Sequence, residues 1–361
     1  MIKYNYTHPT LAILIAGIGD LVLSSPALRA LRNGHPSSPL HLLTSTEAAE
    51  LAVNYPYIDK VWPFPIRQLR KGKKSYFEII RVIKKMRCFQ YQLAVNLYHV
   101  DSLSGALRMG SLFSLIRSDE KIGHDRYGMG LFLHRKLPKD FYADCHLADA
   151  MLSISHFAGG STDNSAIELF WDRNLEGRWH NFFNEVLSSP TKETKKFLIG
   201  INPGGDRANR RWAPERYASV GSKIAAVMPA RMLIFGGPGE EQIAAAVERQ
   251  MTVAAVNLAG KLSLNELAYL ISRLDLLITN DSGPMHMAAA TRTPVAAIFG
   301  PEDPVLMRPY TSEDLYRVIY KPLPCRPCQK DLCERPLCLE AVTAEEVFSA
   351  AMKLLEGNSR P

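Results

Sequence analysis

Short, continuous apolar runs recur along the chain: Leu11 to Ala16, Leu40 to Leu43, Leu93 to Leu97, Phe197 to Asn202, Met232 to Phe235, Leu276 to Thr279 and Val295 to Phe299. They do not alternate with polar residues, which is how strands buried on both faces read. Helix-period segments lie between them, at Ser25 to Asn33, Tyr76 to Met86, Pro214 to Met228, Glu240 to Gln250, Leu264 to Arg273 and Met285 to Ala290. Strand and helix alternate, so the expected class is α/β with parallel sheets. The stretch from Leu187 to Lys196 is polar, charged and interrupted by Pro190, and an apolar strand begins directly after it. It predicts two Rossmann-like domains, residues 1–188 and 189–342, facing a central cleft, with a final helix in 343–361 that packs back on the first domain.

Length supports that division, because 361 residues exceed one ordinary core. With 47% hydrophobic and 22% charged residues, disordered, collagen-like and disulfide-scaffold classes are excluded. The run from Leu11 to Ile18 is closed by Gly19 and Asp20, too short for a bilayer span, and it lacks the flanks of a signal segment. A cytoplasmic protein is the expectation. The net charge of +7 suits an anionic substrate or membrane surface, or simple solubility. The basic residues are not interleaved with stacking aromatics on one element, so no nucleic-acid partner is expected.

Candidate chemistry gathers at predicted strand ends. Gly17-Ile18-Gly19-Asp20 follows the first strand, and Asp20 is either a general base for a hydroxyl or a carboxylate favouring a helix N-terminus. Gly17-x-Gly19-x-x-Val22 lacks the third glycine of a dinucleotide fingerprint. Gly204 and Gly205, followed by Arg207, Arg210, Arg211 and Trp212, combine exposed N–H groups with positive charge, as a phosphate site or a solvated basic loop would. In Asn280-Asp281-Ser282-Gly283-Pro284 a strand runs straight into a helix, and Ser282 and Gly283 sit where a helix N-terminus binds phosphate oxygens. Asp281 either touches ligand or caps that helix, and His286 is either a contact or a packed histidine. Glu240 either accepts from ribose hydroxyls or favours its own helix start. Ser263 and Glu266 match a capping box.

Together the segments GIGDLVLSSPALRALR, INPGG with RRWAPERYA, FGGPGEE, LAGKLSLNELAYLISRLDLLITNDSGPMHMAAA and IFGPEDP resemble the ADP-heptose:lipopolysaccharide heptosyltransferases of glycosyltransferase family nine, over residues 11 to 350. The resemblance implies a GT-B fold with acceptor on the first domain and nucleotide sugar on the second. It implies that Asp20 is the base and that Asp281, Ser282 and Gly283 hold the donor diphosphate with Gly204 and Gly205. Arg210 stands where the family often has lysine, leaving the phosphate role shared between Arg210 and Arg211. Glu240 matches the acidic residue near the donor ribose. The implied reaction is inverting transfer of heptose from ADP-heptose to a lipopolysaccharide-core hydroxyl, with no metal or cofactor required, at the cytoplasmic face of the inner membrane. The alternatives are a family-nine transferase using another nucleotide sugar or acceptor, and a catalytically silent nucleotide-sugar-binding scaffold.

On the acceptor side, Arg67, Arg70, Lys71, Lys73 and Lys74 form a cationic run suited to phosphorylated or acidic core sugars presented at a membrane, or a solvated loop. Tyr98, His99 and Asp101 follow a first-domain strand without a fixed role. Cys325, Cys328, Cys333 and Cys338 lie in a Pro-rich loop and read as a structural metal site or as reduced thiols. Cys88 and Cys145 are expected to be ordinary buried residues.

Overall fold

The computed structural model describes residues 8–66, 74–137, 145–187, 197–328 and 333–357. Two compact units form, Met1–Phe170 and Trp171–Pro361. The first contains β1 (Thr10–Leu14), α1 (Ile18–Leu23), α2 (Ser25–Gly34), β2 (Leu40–Ser45), α3 (Thr46–Ala52), β3 (Lys60–Phe64), α4 (Lys74–Met86), β4 (Tyr91–Asn96), α5 (Leu103–Leu115), β5 (Ser118–His124), β6 (Arg135–Leu137) and α6 (Leu147–Phe157). The second contains α7 (Leu175–Leu187), β7 (Phe197–Asn202), α8 (Pro214–Val227), β8 (Ala230–Ile234), α9 (Glu241–Gln250), β9 (Ala255–Asn257), α10 (Leu264–Ser272), β10 (Leu276–Asn280), α11 (Gly283–Ala290), β11 (Val295–Phe299), α12 (Pro304–Met307), β12 (Tyr316–Tyr320), α13 (Leu337–Glu340) and α14 (Ala344–Gly357).

Each unit is built on one parallel sheet. Their strand orders are β3-β2-β1-β4-β5-β6 and β12-β11-β10-β7-β8-β9. Read from each unit's first strand, these are the same order, the doubly wound arrangement of dinucleotide-binding sheets. The order reverses between β1 and β4 in one unit and between β7 and β10 in the other. Segments leaving the carboxyl ends at those two points have no crossover helix between them, so that edge is open for ligand. The apolar runs lie where they are expected because the central strands are buried throughout: every residue of β1, β2, β10 and β11 is buried. The edge strands β3, β6, β9 and β12, and β5 next to an edge, carry polar residues and lack a long apolar run, so they escape the same pattern.

The unit boundary falls 18 residues before the expected one. The segment up to Phe170 is tied to the first unit: Glu168 N–H donates to Ser25 Oγ at 2.7 Å, Tyr55 OH donates to the Glu168 carbonyl at 3.1 Å, and Arg29 pairs with the Glu168 carboxylate. Beyond it, α7 packs on α10, with Phe183 against Tyr269, and so belongs to the second unit. The last helix also differs from expectation. α14 packs on α8, β10, β11 and β12, burying Val347, Ala351, Leu354 and Leu355 in the second unit's own core. Its apolar stripe shares one core cluster with α8 and α9. Among the described residues, no helix is long and apolar enough to cross a membrane.

His41 on β2 shows how completely the first core is closed. Its ring is packed against Trp62, Phe89 and Tyr91, with centroids 6.0, 5.0 and 5.6 Å away. Burial, aided by the Lys60 charge and opposed by Asp59, pushes its pKa from 6.5 down to about 4. The unfolded chain therefore binds the extra proton first. Stability is expected to fall by about 2–3 kcal/mol from this group as pH drops from 6.5 towards 4, with no contribution above 6.5. Denaturant unfolding of wild type and His41→Leu across that window checks it; an unchanged pH slope in the variant would sink the assignment.

Candidate active site

The second unit brings the ends of β7 and β10 and the start of α8 together around one buried amide. Asn280, the last residue of β10, is fully buried. Its Oδ1 accepts from the Trp212 N–H at 2.9 Å and from Tyr217 OH at 2.8 Å; its Nδ2 donates to the carbonyls of Pro203 at 2.9 Å and Gly204 at 3.0 Å. Two donors face one side of the amide and two acceptors the other, which fixes its orientation. Burial pushes the Tyr217 phenol well above its usual range, so it stays a donor. Trp212 is itself buried, donates Nε1–H to the Val342 carbonyl at 3.1 Å and packs edge-on to Tyr217. The loop from Pro203 to Trp212 is thus pinned at both ends.

Glu240 fills the space that the glycines leave. Gly205 N–H donates to its Oε1 at 2.6 Å and Gly237 N–H to its Oε2 at 2.7 Å. A Cβ at Gly204 would lie 2.1 Å from that carboxylate, and Gly205 has φ +152°, so both positions require glycine. Glu240 occupies the N-cap position of α9 without capping it through its side chain. Its carboxylate reaches across to β7 instead.

The arginines of the same loop are ion-paired. Arg210 Nη1 lies 3.2 Å from Asp281 Oδ2, and Arg210 Nη2 pairs with Glu302 Oε1. Arg207 Nη1 lies 3.7 Å from Glu302, and Arg211 lies 3.9 Å from Glu240 Oε1 while its Nε donates to the Gly205 carbonyl at 2.8 Å. Three guanidinium groups therefore meet three carboxylates, and the loop is neither a solvated basic loop nor a cluster of uncompensated charge. Glu302 comes from the turn after β11 and Asp281 directly follows β10.

Ser282 is the N-cap of α11 and does not cap it through its side chain. Its Oγ lies 3.2 Å from Thr279 Oγ1 and accepts from Asn202 Nδ2 at 3.5 Å. The first N–H groups of α11 lack intrahelical acceptors by geometry, and Pro284 removes one of them. The Asp281 carboxylate, one residue before the N-cap, accepts from Arg210. His286 is buried one turn further in and packs inside the unit.

In the first unit, Asp20 does not sit in a free turn. α1 begins at Ile18, so Asp20 is in the first helical turn and its Oδ2 accepts from the Gly17 N–H at 2.8 Å. The carboxylate is half-buried at the carboxyl end of β1, the strand beside the order reversal. On the neighbouring strand, β4, a polar cluster follows: His99 Nε2 lies 3.1 Å and Arg126 3.2 Å from the Asp101 carboxylate, and the Tyr98 and His99 rings stack at 4.6 Å. Burial pushes the Asp101 carboxyl up, but the His99 hydrogen bond and the charges of His99 and Arg126 outweigh it and hold it below the usual range. Arg67, Arg70, Lys71 and Lys73 lie outside the described residues. Lys74 begins α4.

The Ser263–Glu266 capping box is present, with Glu266 N–H donating to Ser263 Oγ at 3.2 Å and Ser263 N–H to Glu266 Oε2 at 2.9 Å. Among the described residues no cysteine is in a disulfide; Cys338 is buried, Cys328 half-buried, and Cys325 and Cys333 exposed. Among the described residues no three His, Cys, Asp or Glu side chains converge as a metal site. Cys88 is exposed rather than buried, because it follows the last turn of α4 on the outward side, and Cys145 is half-buried.

Known proteins share this arrangement. A family model, glycosyltransferase family 9 (heptosyltransferase), matches residues 79–338. The chain belongs to this family. Among its relatives, lipopolysaccharide heptosyltransferase 3 of Escherichia coli K12 is 24% identical over 351 residues, covering 93% of this chain and 95% of that protein. Two solved structures share the fold: the family 9 glycosyl transferase of Veillonella parvula DSM 2008 (TM-score 0.79, 23% identity, 98% of this chain and 99% of that one), and the E. coli heptosyltransferase WaaC with ADP-2-deoxy-2-fluoro heptose (TM-score 0.68, 17% identity, 97% and 100%). This family-9 glycosyltransferase has the GT-B fold, with two Rossmann-like parallel-sheet units.

Asn280, Asn202, Tyr217 and Glu302 take part in the site without having been singled out. A lone asparagine ending the apolar run Leu276 to Thr279 is the available signal for Asn280; Glu302 lies inside IFGPEDP, but a loop carboxylate gives no hint of its arginine partner.

Truncating Asn280→Ala leaves two carbonyls and two donors without their partner and is expected to cost about 2–5 kcal/mol, read as a lower denaturant midpoint. Glu302→Gln removes one negative charge beside Arg210. A unit charge at about 6–8 Å and an effective dielectric constant of roughly 40–80 is worth about 0.5–1.4 kcal/mol, so inorganic pyrophosphate should bind about twofold to tenfold more tightly by calorimetry. Weaker binding would show that Glu302 positions the arginine instead of competing for it.

Proposed function

We propose that this glycosyltransferase moves a heptose from ADP-heptose to a hydroxyl of a lipopolysaccharide-core acceptor, with inversion at the anomeric carbon, and that it works as a peripheral protein at the cytoplasmic face of the inner membrane. The observation that carries the reading is that each unit has an open strand edge and that the two edges carry opposite chemistry. The first unit offers a carboxylate, Asp20, and the second offers a glycine turn, a helix N-terminus and arginines.

Asp20 accepts the proton of the attacking hydroxyl as the new glycosidic bond forms and the bond to the diphosphate breaks. Its fixed bond from the Gly17 N–H holds one carboxylate oxygen, orienting the group on a helix instead of a loose turn. The leaving diphosphate is met by the N-terminus of α11 at Ser282 and Gly283, by the Gly204-Gly205 turn, and by Arg210 and Arg211. To bond phosphate oxygens, Arg210 exchanges a carboxylate partner for the ligand, which makes phosphate binding a swap of ion pairs and not a simple gain of them. Glu240 accepts from ribose hydroxyls where it lines the turn after β8. Fixed cations and N–H dipoles take the part that a divalent cation plays in other sugar transferases, so no metal or cofactor enters the scheme. The basic segment holding Arg67, Arg70, Lys71, Lys73 and Lys74 follows β3 and contacts acidic groups of the acceptor.

The relatives support the donor: one is a lipopolysaccharide heptosyltransferase, and one solved structure holds an ADP-heptose analogue. A family-9 enzyme using another nucleotide sugar or acceptor is the second reading, favoured by the low identity to each relative.

Thermal unfolding with ADP, UDP, GDP and their sugar conjugates tests the donor. A selective rise with ADP and ADP-heptose is expected, since ligand at about 100 times its Kd adds roughly 2.7 kcal/mol; a rise only with UDP or GDP compounds selects the second reading. Asp20→Asn should keep the ADP shift and lose about 10²–10⁴-fold in turnover. Full turnover in that variant removes Asp20 from the mechanism.

A further inference from the structure

We propose that the first unit docks on an anionic bilayer through α4, the start of α5 and the loop after β5; that this surface also meets the acceptor rests on the functional reading above. Large apolar side chains stand out of these segments into solvent. On α4, Phe77 is 76% and Ile80 48% exposed; on α5, Leu103 is 66% and Leu107 65% exposed; after β5, Leu131 is 86% exposed. These are not the core-facing stripes of their helices. Ile83 and Met86 of α4 and Phe113 of α5 face inward into one cluster, and Phe113 meets Phe132 at 5.1 Å. The exposed residues are therefore a second apolar set, which a soluble surface does not call for.

Their placement follows from the sheet. All neighbouring strands pair in parallel, so the segments after β3, β4 and β5 leave from the same edge at which Asp20 leaves β1. Phe77 and Ile80 lie in the first two turns of α4, and Leu103 and Leu107 in the first two turns of α5. The apolar side chains are thus nearest the edge that carries the chemistry.

Charge decides what covers them. The outward side of α4 continues with Arg81, Lys84 and Lys85, followed by Arg87, all exposed, against one exposed carboxylate, Glu78. Among the described residues none of these four cations is in an ion pair. Protein interface cores are depleted in lysine, whereas aromatic and aliphatic tips flanked by lysine and arginine suit insertion at an anionic lipid headgroup layer.

Co-sedimentation of the full-length protein with vesicles of phosphatidylethanolamine and phosphatidylglycerol, and with phosphatidylcholine vesicles, tests the proposal. Binding to the anionic vesicles alone is expected, weakening with salt. Lys84→Glu/Lys85→Glu and Phe77→Ser/Ile80→Ser should each lower partitioning about tenfold or more, while both keep the ADP-induced thermal shift, because that site lies in the other unit. No binding to anionic vesicles overturns the proposal, as do variants that partition like wild type. A wild-type dimer in sedimentation velocity that Phe77→Ser/Ile80→Ser dissolves overturns it too, giving the patch to a second copy. Vesicle binding without any nucleotide shift would instead sink the ADP-heptose reading and leave the docking surface standing.

Discussion

A single buried amide ties together the strand-end loops of the second unit. Asn280 has no water to bond with, so all four of its hydrogen-bonding positions must be met by protein. They are met by Pro203, Gly204, Trp212 and Tyr217, which belong to the turn after β7 and to the start of α8. The β7 and β10 ends are adjacent in the sheet, and this side chain, together with the Arg210–Asp281 pair, fixes the loop between β7 and α8 relative to the N-terminus of α11. The glycine turn, the arginines and the helix start are consequently one rigid constellation, and the low-dielectric setting makes any half-satisfied version of it expensive.

Within that frame, electrostatics is balanced rather than biased. Arg207, Arg210 and Arg211 are each opposed by a carboxylate from another strand end. Partly buried guanidinium groups left unpaired would cost desolvation free energy that a loop cannot recover. The carboxylates Asp281, Glu302 and Glu240 supply that compensation and at the same time preorganise the arginines. An anion entering this loop would meet guanidinium groups that already have carboxylate partners, which is a different problem from filling a positively charged pocket. Ordered guanidinium planes also lose less freedom on binding than those of a mobile basic loop.

The first unit uses the same strand order for another purpose. Its switch point bears a carboxylate on a helix start, and beside it the His99–Asp101–Arg126 cluster at the end of β4. Gly17 and Gly19 lie at that strand end too, but the basic partner in its polar cluster is Arg126, not a loop of three arginines. Repetition of the topology thus explains why both units offer an open carboxyl edge, while the residues placed on each edge explain why the two edges differ in chemistry.

Local sequence determined the apolar central strands, the helices after them, the α/β class, and the strand-end positions of Asp20, Glu240, Ser282 and the glycine turn, because period and turn chemistry are written within a few residues. The capping box at Ser263 and Glu266 was legible for the same reason. The edge strands were not, since half-exposed strands have no continuous apolar run. Nor was the unit boundary: the polar stretch at 187–196 marks a break in chain, but Glu168 and α7 choose their sides through contacts with Ser25, Tyr55 and α10. α14 likewise carried its apolar stripe openly, and only the tertiary structure decided that its partner is the second sheet. The ion-pair network is the clearest case. Arg210 reaches Asp281 and Glu302 across 71 and 92 residues of chain, and no local pattern records a partner that distant; strand order alone brings them together.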